Sequence, residues 1–162
     1  MSRKLLLFLL CFFSLPLVLF SQTKGALPAY KMPEKDCATL KLKISNLLSK
    51  MNEVPDTSGY IIVYEGNDEI VVSNSKGKKT TKQILPRAGE INLHIQGIQE
   101  MIKNMEVPDG KIKVINGGFR NKFAIDFWTV PKGAEPPKPT PNLKKMKYRK
   151  GSISPQFPYW DC

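Results

Sequence analysis

The chain has 162 residues, 41% of them hydrophobic and 24% charged, which fits one domain with extras and excludes wholesale disorder and a multi-span membrane protein. Lysine and arginine number 25 against 14 aspartates and glutamates, a formal net charge of +11. One histidine and three cysteines are too few for most metal-ligand clusters and histidine-based triads, so neither a metal nor a cofactor is expected.

Ser2-Arg3-Lys4 precedes Leu5–Phe20, sixteen residues without a charge. A positive start followed by an apolar run reads as a secretory signal peptide over residues 1–22. A bilayer crossing needs about 20 apolar residues and Pro16 interrupts this run, which favours a cleaved signal over a retained membrane helix. The expected location is the bacterial periplasm or the extracellular space. Cys11 leaves with the signal. Cys37 and Cys162 then either form one disulfide or remain two free thiols. Joined, they close a loop over nearly the whole domain, a constraint of about 4 to 5 kcal/mol in the chain-entropy model.

After a lead segment, 23–36, in which nothing reads as a strand, Asp36 is the predicted N-cap of a helix over Cys37–Asn52. Leu40, Ile44, Leu47 and Met51 form its apolar stripe. Gly59–Tyr64 is β-branched and aromatic and predicts a strand; Gly66-Asn67-Asp68 predicts a turn into a second short strand, Ile70–Val72. Residues 73–87 hold five basic residues and no acid and read as a loop. A second helix follows over Gly89–Met105, with Ile91, Ile95, Ile98, Ile102 and Met105 on one face. Lys111–Ile115 and Lys122–Val130 are predicted strands joined by a hairpin connection at Asn116–Asn121. The fold class is α+β: two amphipathic helices packed on one face of a small sheet of three to four strands, spanning 37–131. Gly133–Pro141, with four prolines in nine residues, predicts a semi-rigid spacer within a linker at 132–142. The tail, 143–162, has a basic run (Lys144, Lys145, Lys147, Arg149, Lys150) and an aromatic end (Phe157, Tyr159, Trp160).

If Ile61 and Val63 face the helices, the two-residue period puts Tyr60, Ile62 and Tyr64 on the opposite side, as it puts Trp128 opposite Phe127. That aromatic face is either a binding surface or is covered by the aromatic tail. His94 borders the apolar stripe with no second His or Cys nearby in sequence and reads as a surface or boundary residue. Asp126, Glu65 and Asp68 read as solvated edge carboxylates rather than a catalytic pair. The basic loop and tail are either solubilising charge or a collector of polyanions. Export argues against a nucleic-acid target.

The helix Ala38–Met51, a Pro-containing turn, the strand GYIIVYEG, then a helix and KIKVINGG together resemble the outer-membrane-protein-A-like (OmpA-like) peptidoglycan-binding domain over roughly 37–130. The chain is more closely similar to small secreted bacterial proteins of unknown function that combine GYIIVY, a GG followed by an aromatic residue and Arg, and an ending like FWTVPKGAEPPKPTP. In the OmpA-like family an Asp after the central strand and an Arg opening the next helix hold the diaminopimelate group of a wall peptide, carboxylate to ammonium and guanidinium to carboxylate. The resemblance offers Asp68 and Arg87 for those roles. Gln96-Gly97 stands where counting back from Asn116 places the family's Arg-Ala, and Arg87-Ala88 falls nine residues earlier. The candidate site is therefore Asp68, Arg87 and Arg120 for ionic contacts, with Tyr64 and Trp128 for stacking. The functional expectation is an exported, non-catalytic binding or assembly module. The alternatives are a polyanion-binding envelope factor and a peptidoglycan-binding domain.

Overall fold

A computed structural model of the chain describes residues 25–32, 36–73 and 77–153; the signal-like segment, the aromatic end and Cys162 lie outside them. Seven elements follow one another: β1 (Leu27–Met32), α1 (Cys37–Asn52), β2 (Ser58–Ser73), β3 (Lys79–Ile84), α2 (Glu90–Asn104), β4 (Ile112–Lys122) and β5 (Ala124–Val130). The fold is α+β, and among the described residues its sheet has five strands rather than three or four.

Both helices form where their periodicity puts them. Asp36 caps α1 by accepting from the Thr39 N–H at 2.7 Å, and hydrogen bonds from Thr39 hold its carboxyl below the usual range. Leu40, Ile44, Leu47 and Met51 are all buried. In α2 the stripe is Ile91, His94, Ile98, Met101 and Ile102. These side chains close one core against Ile61 and Val63 of β2, Ile125 and Phe127 of β5, Ile112 and Phe123. One face of the sheet thus belongs to the helices, as the alternation of apolar residues requires.

Four departures from the sequence reading concern connections. A strand does precede α1: β1 pairs antiparallel with β5, with a register shift between Pro28 and Tyr30. Pro28 disguises it, since proline is tolerated in sheets only at edges and irregularities. Gly66-Asn67-Asp68 does not turn the chain; β2 runs straight through, with register shifts against β4 between Val63 and Glu65 and between Glu65 and Asn67. The predicted basic loop contains β3, which pairs antiparallel with the outer part of β2 from Asp68↔Ile84 to Ser73↔Lys79.

The fourth is the supposed hairpin at Asn116–Asn121. That segment is the continuation of β4, which lies parallel to β2, while β5 lies antiparallel along the other edge of β2. Successive strands therefore flank β2 from opposite sides, and the chain crosses β2 at the single residue Phe123. Gly66 makes the crossing possible: a Cβ there would collide with the backbone of Lys122 and Phe123. The Phe123 N–H fixes the crossing by donating to the Asn67 carbonyl at 3.1 Å.

Candidate functional site

The second face of the sheet carries Tyr60, Ile62 and Tyr64 of β2, which β-pairing sets beside Trp128, Asp126 and Ala124 of β5. Gly117 of β4 leaves room for the Tyr64 ring: a Cβ there would sit 2.5 Å from Tyr64 Cε1 and 2.6 Å from Ile62 Cγ2. Above the ring lies Arg120, its Cζ 3.3 Å from the ring centroid. Its guanidinium grips buried Asp126 with both terminal nitrogens, at 3.3 and 2.8 Å. It also donates to Thr140, from Nε to the carbonyl at 3.2 Å and from Nη2 to Oγ1 at 2.7 Å. The Thr140 N–H donates in turn to the Tyr64 hydroxyl at 3.0 Å.

Asp126 is thus no solvated edge carboxylate. A carboxylate on a buried strand position needs a bonded cation, and the two-residue alternation that turns Phe127 toward the helices turns Asp126 toward Arg120. Thr140 lies in the Pro-rich stretch read as a spacer, and that stretch is a strap on the sheet. Pro131 and Pro137 are buried, the Asn142 and Leu143 N–H groups donate to the Phe119 carbonyl, at 3.0 and 3.1 Å, and Asn142 Oδ1 accepts from the Asn121 N–H at 3.0 Å. Part of the aromatic face is therefore covered by the strap. The aromatic tail proposed as its cover lies outside the described residues.

The strap continues to a second polar cluster at the start of α2. The Arg149 N–H donates to the Pro86 carbonyl at 3.0 Å, and the Arg149 side chain reaches the Glu90 carboxylate at 3.3 Å. Arg87 Nη1 lies 3.9 Å from the same oxygen. Glu90 is buried in the first turn of α2, where the helix dipole favours a negative charge. Beside Arg149, the Tyr148 hydroxyl donates to buried Glu65 at 2.8 Å. Burial first, then that hydrogen bond and the carboxylate charge, push the Tyr148 phenol up to about 12. His94, one turn after Glu90, is buried with its ring 4.9 Å from that of Phe123. Its place at the surface or boundary is thereby corrected: position 94 falls on the stripe between Ile91 and Ile98.

Of the five candidate residues, the structure brings Tyr64 and Arg120 together. Arg87 serves Glu90. Asp68 stands in the β2–β3 ribbon opposite Ile84. Trp128 is half-buried beside Tyr60, its indole nitrogen buried without a hydrogen-bond partner among the described residues. Sequence reasoning missed Glu65, Glu90, Thr140, Tyr148 and Arg149. Only Arg87 and Glu90, three apart at a helix start, left a local trace. Cys37 is half-buried at the first position of α1 and is not a free thiol; Cys162 lies outside the described residues.

Both clusters bind the strap to the body, and their charged groups are engaged in doing so. Among the described residues no group of three or more His, Cys, Asp or Glu is arranged to hold a metal ion, and no helix is long and apolar enough to cross a membrane. Lysines outside these clusters stay exposed, among them Lys79 and Lys82 of β3 and Lys144, Lys145, Lys147 and Lys150 of the strap. No family model, no curated protein and no solved structure matches this chain.

Proposed function

We propose that the chain is an exported, non-catalytic binding or assembly module that engages an anionic partner of the envelope through the basic ribbon and strap. The observation that carries this reading is the hydrogen bond from the Arg149 N–H to the Pro86 carbonyl. It joins two stretches far apart in sequence, 70–89 and 136–160, neither of which contains an acid. Within the ribbon and strap, Arg87 and Arg149 face an internal carboxylate, so the exposed lysines are the groups there left to meet a partner. The signal-like start supports export.

Retention of the full chain on immobilised heparin, titrated with salt, tests the reading. With about four lysines engaged, affinity falls about a hundred-fold between about 50 and about 200 mM salt. Replacing Lys79, Lys82, Lys144 and Lys145 with alanine flattens that slope. Salt-independent retention, or none at low salt, would discard the reading.

A peptidoglycan-binding role is the second reading, and β1 favours it, because the OmpA-like resemblance calls for a strand ahead of the first helix. In this reading Arg87 exchanges its 3.9 Å contact with Glu90 for the wall peptide, which Asp68 also holds. Purified peptidoglycan retains the parent protein, while Asp68→Ala and Arg87→Ala both lose retention; a parent that does not sediment with peptidoglycan ends it.

A further inference from the structure

Past Asn67, β2 leaves the body of the sheet. Its pairing with β5 ends at Tyr64 and with β4 at Asn67, so residues 68–73 pair with β3 alone. The two strands form a ribbon in which Lys79 to Gln83 are exposed, and among the described residues no strand pairs with the outer edge of β3. An open edge offers a row of N–H and C=O groups to any extended chain that can bond to them.

We propose that the outer edge of β3 takes up an extended acidic segment of a protein partner as an additional strand. The inference rests on the reading that the basic surface engages an anionic partner, and it specifies that partner's form. Lys79 and Lys82 have opposite parity along the strand, so each side of the ribbon presents one lysine beside the edge. Nothing neutralises them locally in sequence, since no acid occurs from Ile70 to Gly89. The ribbon's nearest acid beyond Asp68, Glu69, is bridged to Lys122 at 2.8 Å.

The same lysines set this edge against a second copy of itself, because like charges on facing strands repel. Thr80 and Thr81 between them favour the extended conformation and offer no apolar pocket. Selection therefore falls on backbone pairing plus acidic side chains. A polyphosphate or an acidic polysaccharide can meet the lysines but has no peptide groups to complete the edge.

The test uses the full chain and three labelled probes: a peptide of about ten residues alternating Glu and Val, the same peptide N-methylated at alternate amides, and inorganic polyphosphate. Anisotropy gives the affinities, and hydrogen exchange reports on the amides of Lys79–Ile84. The unmodified peptide is expected to bind about ten-fold or more tightly than its N-methylated form and to protect those amides. Converting Lys79→Glu and Lys82→Glu together transfers the preference to a Lys/Val peptide. Equal affinity for the methylated peptide, or equal protection by polyphosphate, overturns strand addition while leaving the basic surface as an anion collector. Failure of all three probes removes both.

Discussion

Arg120 meets Asp126, Thr140 and the Tyr64 ring at once. A lysine there keeps the charge but has neither the planar fork nor the flat face that lies on the ring. Arg120→Ala leaves Asp126 buried and uncompensated and is expected to cost about 3 to 5 kcal/mol, read as a lowered urea midpoint at unchanged slope; Arg120→Lys recovers only part of it. If the alanine variant matches the parent, the guanidinium is not a fastener. The folded pKa of Tyr148, about 12 against an ordinary 10.0, means that the folded protein holds the phenolic proton more tightly than the unfolded chain. Its contribution to stability is complete below about pH 10 and is lost as pH rises toward about 12. Tyrosinate absorbance should therefore show one late-titrating tyrosine, absent in Tyr148→Phe.

Among the elements, those with a strong apolar period were readable in the sequence: α1, α2 and the central stretches of β2 and β5. What escaped was held by other means. β3, KTTKQI, is exposed along most of its length, so no alternation marks it; backbone pairing to one neighbour holds it. The Gly117-Gly118 pair looked like a turn because glycine usually serves turns. Here Gly117 serves packing against Tyr64, and Gly118, with φ at +85°, donates its N–H to Asn116 Oδ1 at 2.8 Å. The prolines signalled a stretch outside helix and strand but say nothing about what such a stretch lies against. Of the site, the aromatic face was readable from parity. The strap contacts were not, because Tyr64 and Thr140 are 76 residues apart. Native-state hydrogen exchange should separate these elements: β3 amides exchange first among the strands, and the Tyr60–Tyr64 stretch, paired on both edges, exchanges last. The reverse order would mean that the ribbon is fixed by something other than β2.

For the molecule as a whole, the strap and the helices hold opposite faces of one sheet. The helices do so through an apolar core and the strap through polar bonds, partly buried or exposed. Unequal chemistry predicts unequal response: denaturant loosens both, whereas alkaline pH acts on the strap through the Tyr148 phenol. Denaturing, non-reducing thiol labelling should find neither Cys37 nor Cys162 reactive; stoichiometric labelling of both would dismiss a disulfide between them. A last consequence comes from the one-residue step at Phe123 over Gly66. Because the collision there is with main-chain atoms, no rotamer change elsewhere relieves it. Any descendant sequence that keeps this route must keep a bare α-carbon at that point. A glycine eight residues into the second strand, matched to a lone phenylalanine between the last two, is thus a fingerprint by which distant kin can be recognised after the rest of the sequence has drifted.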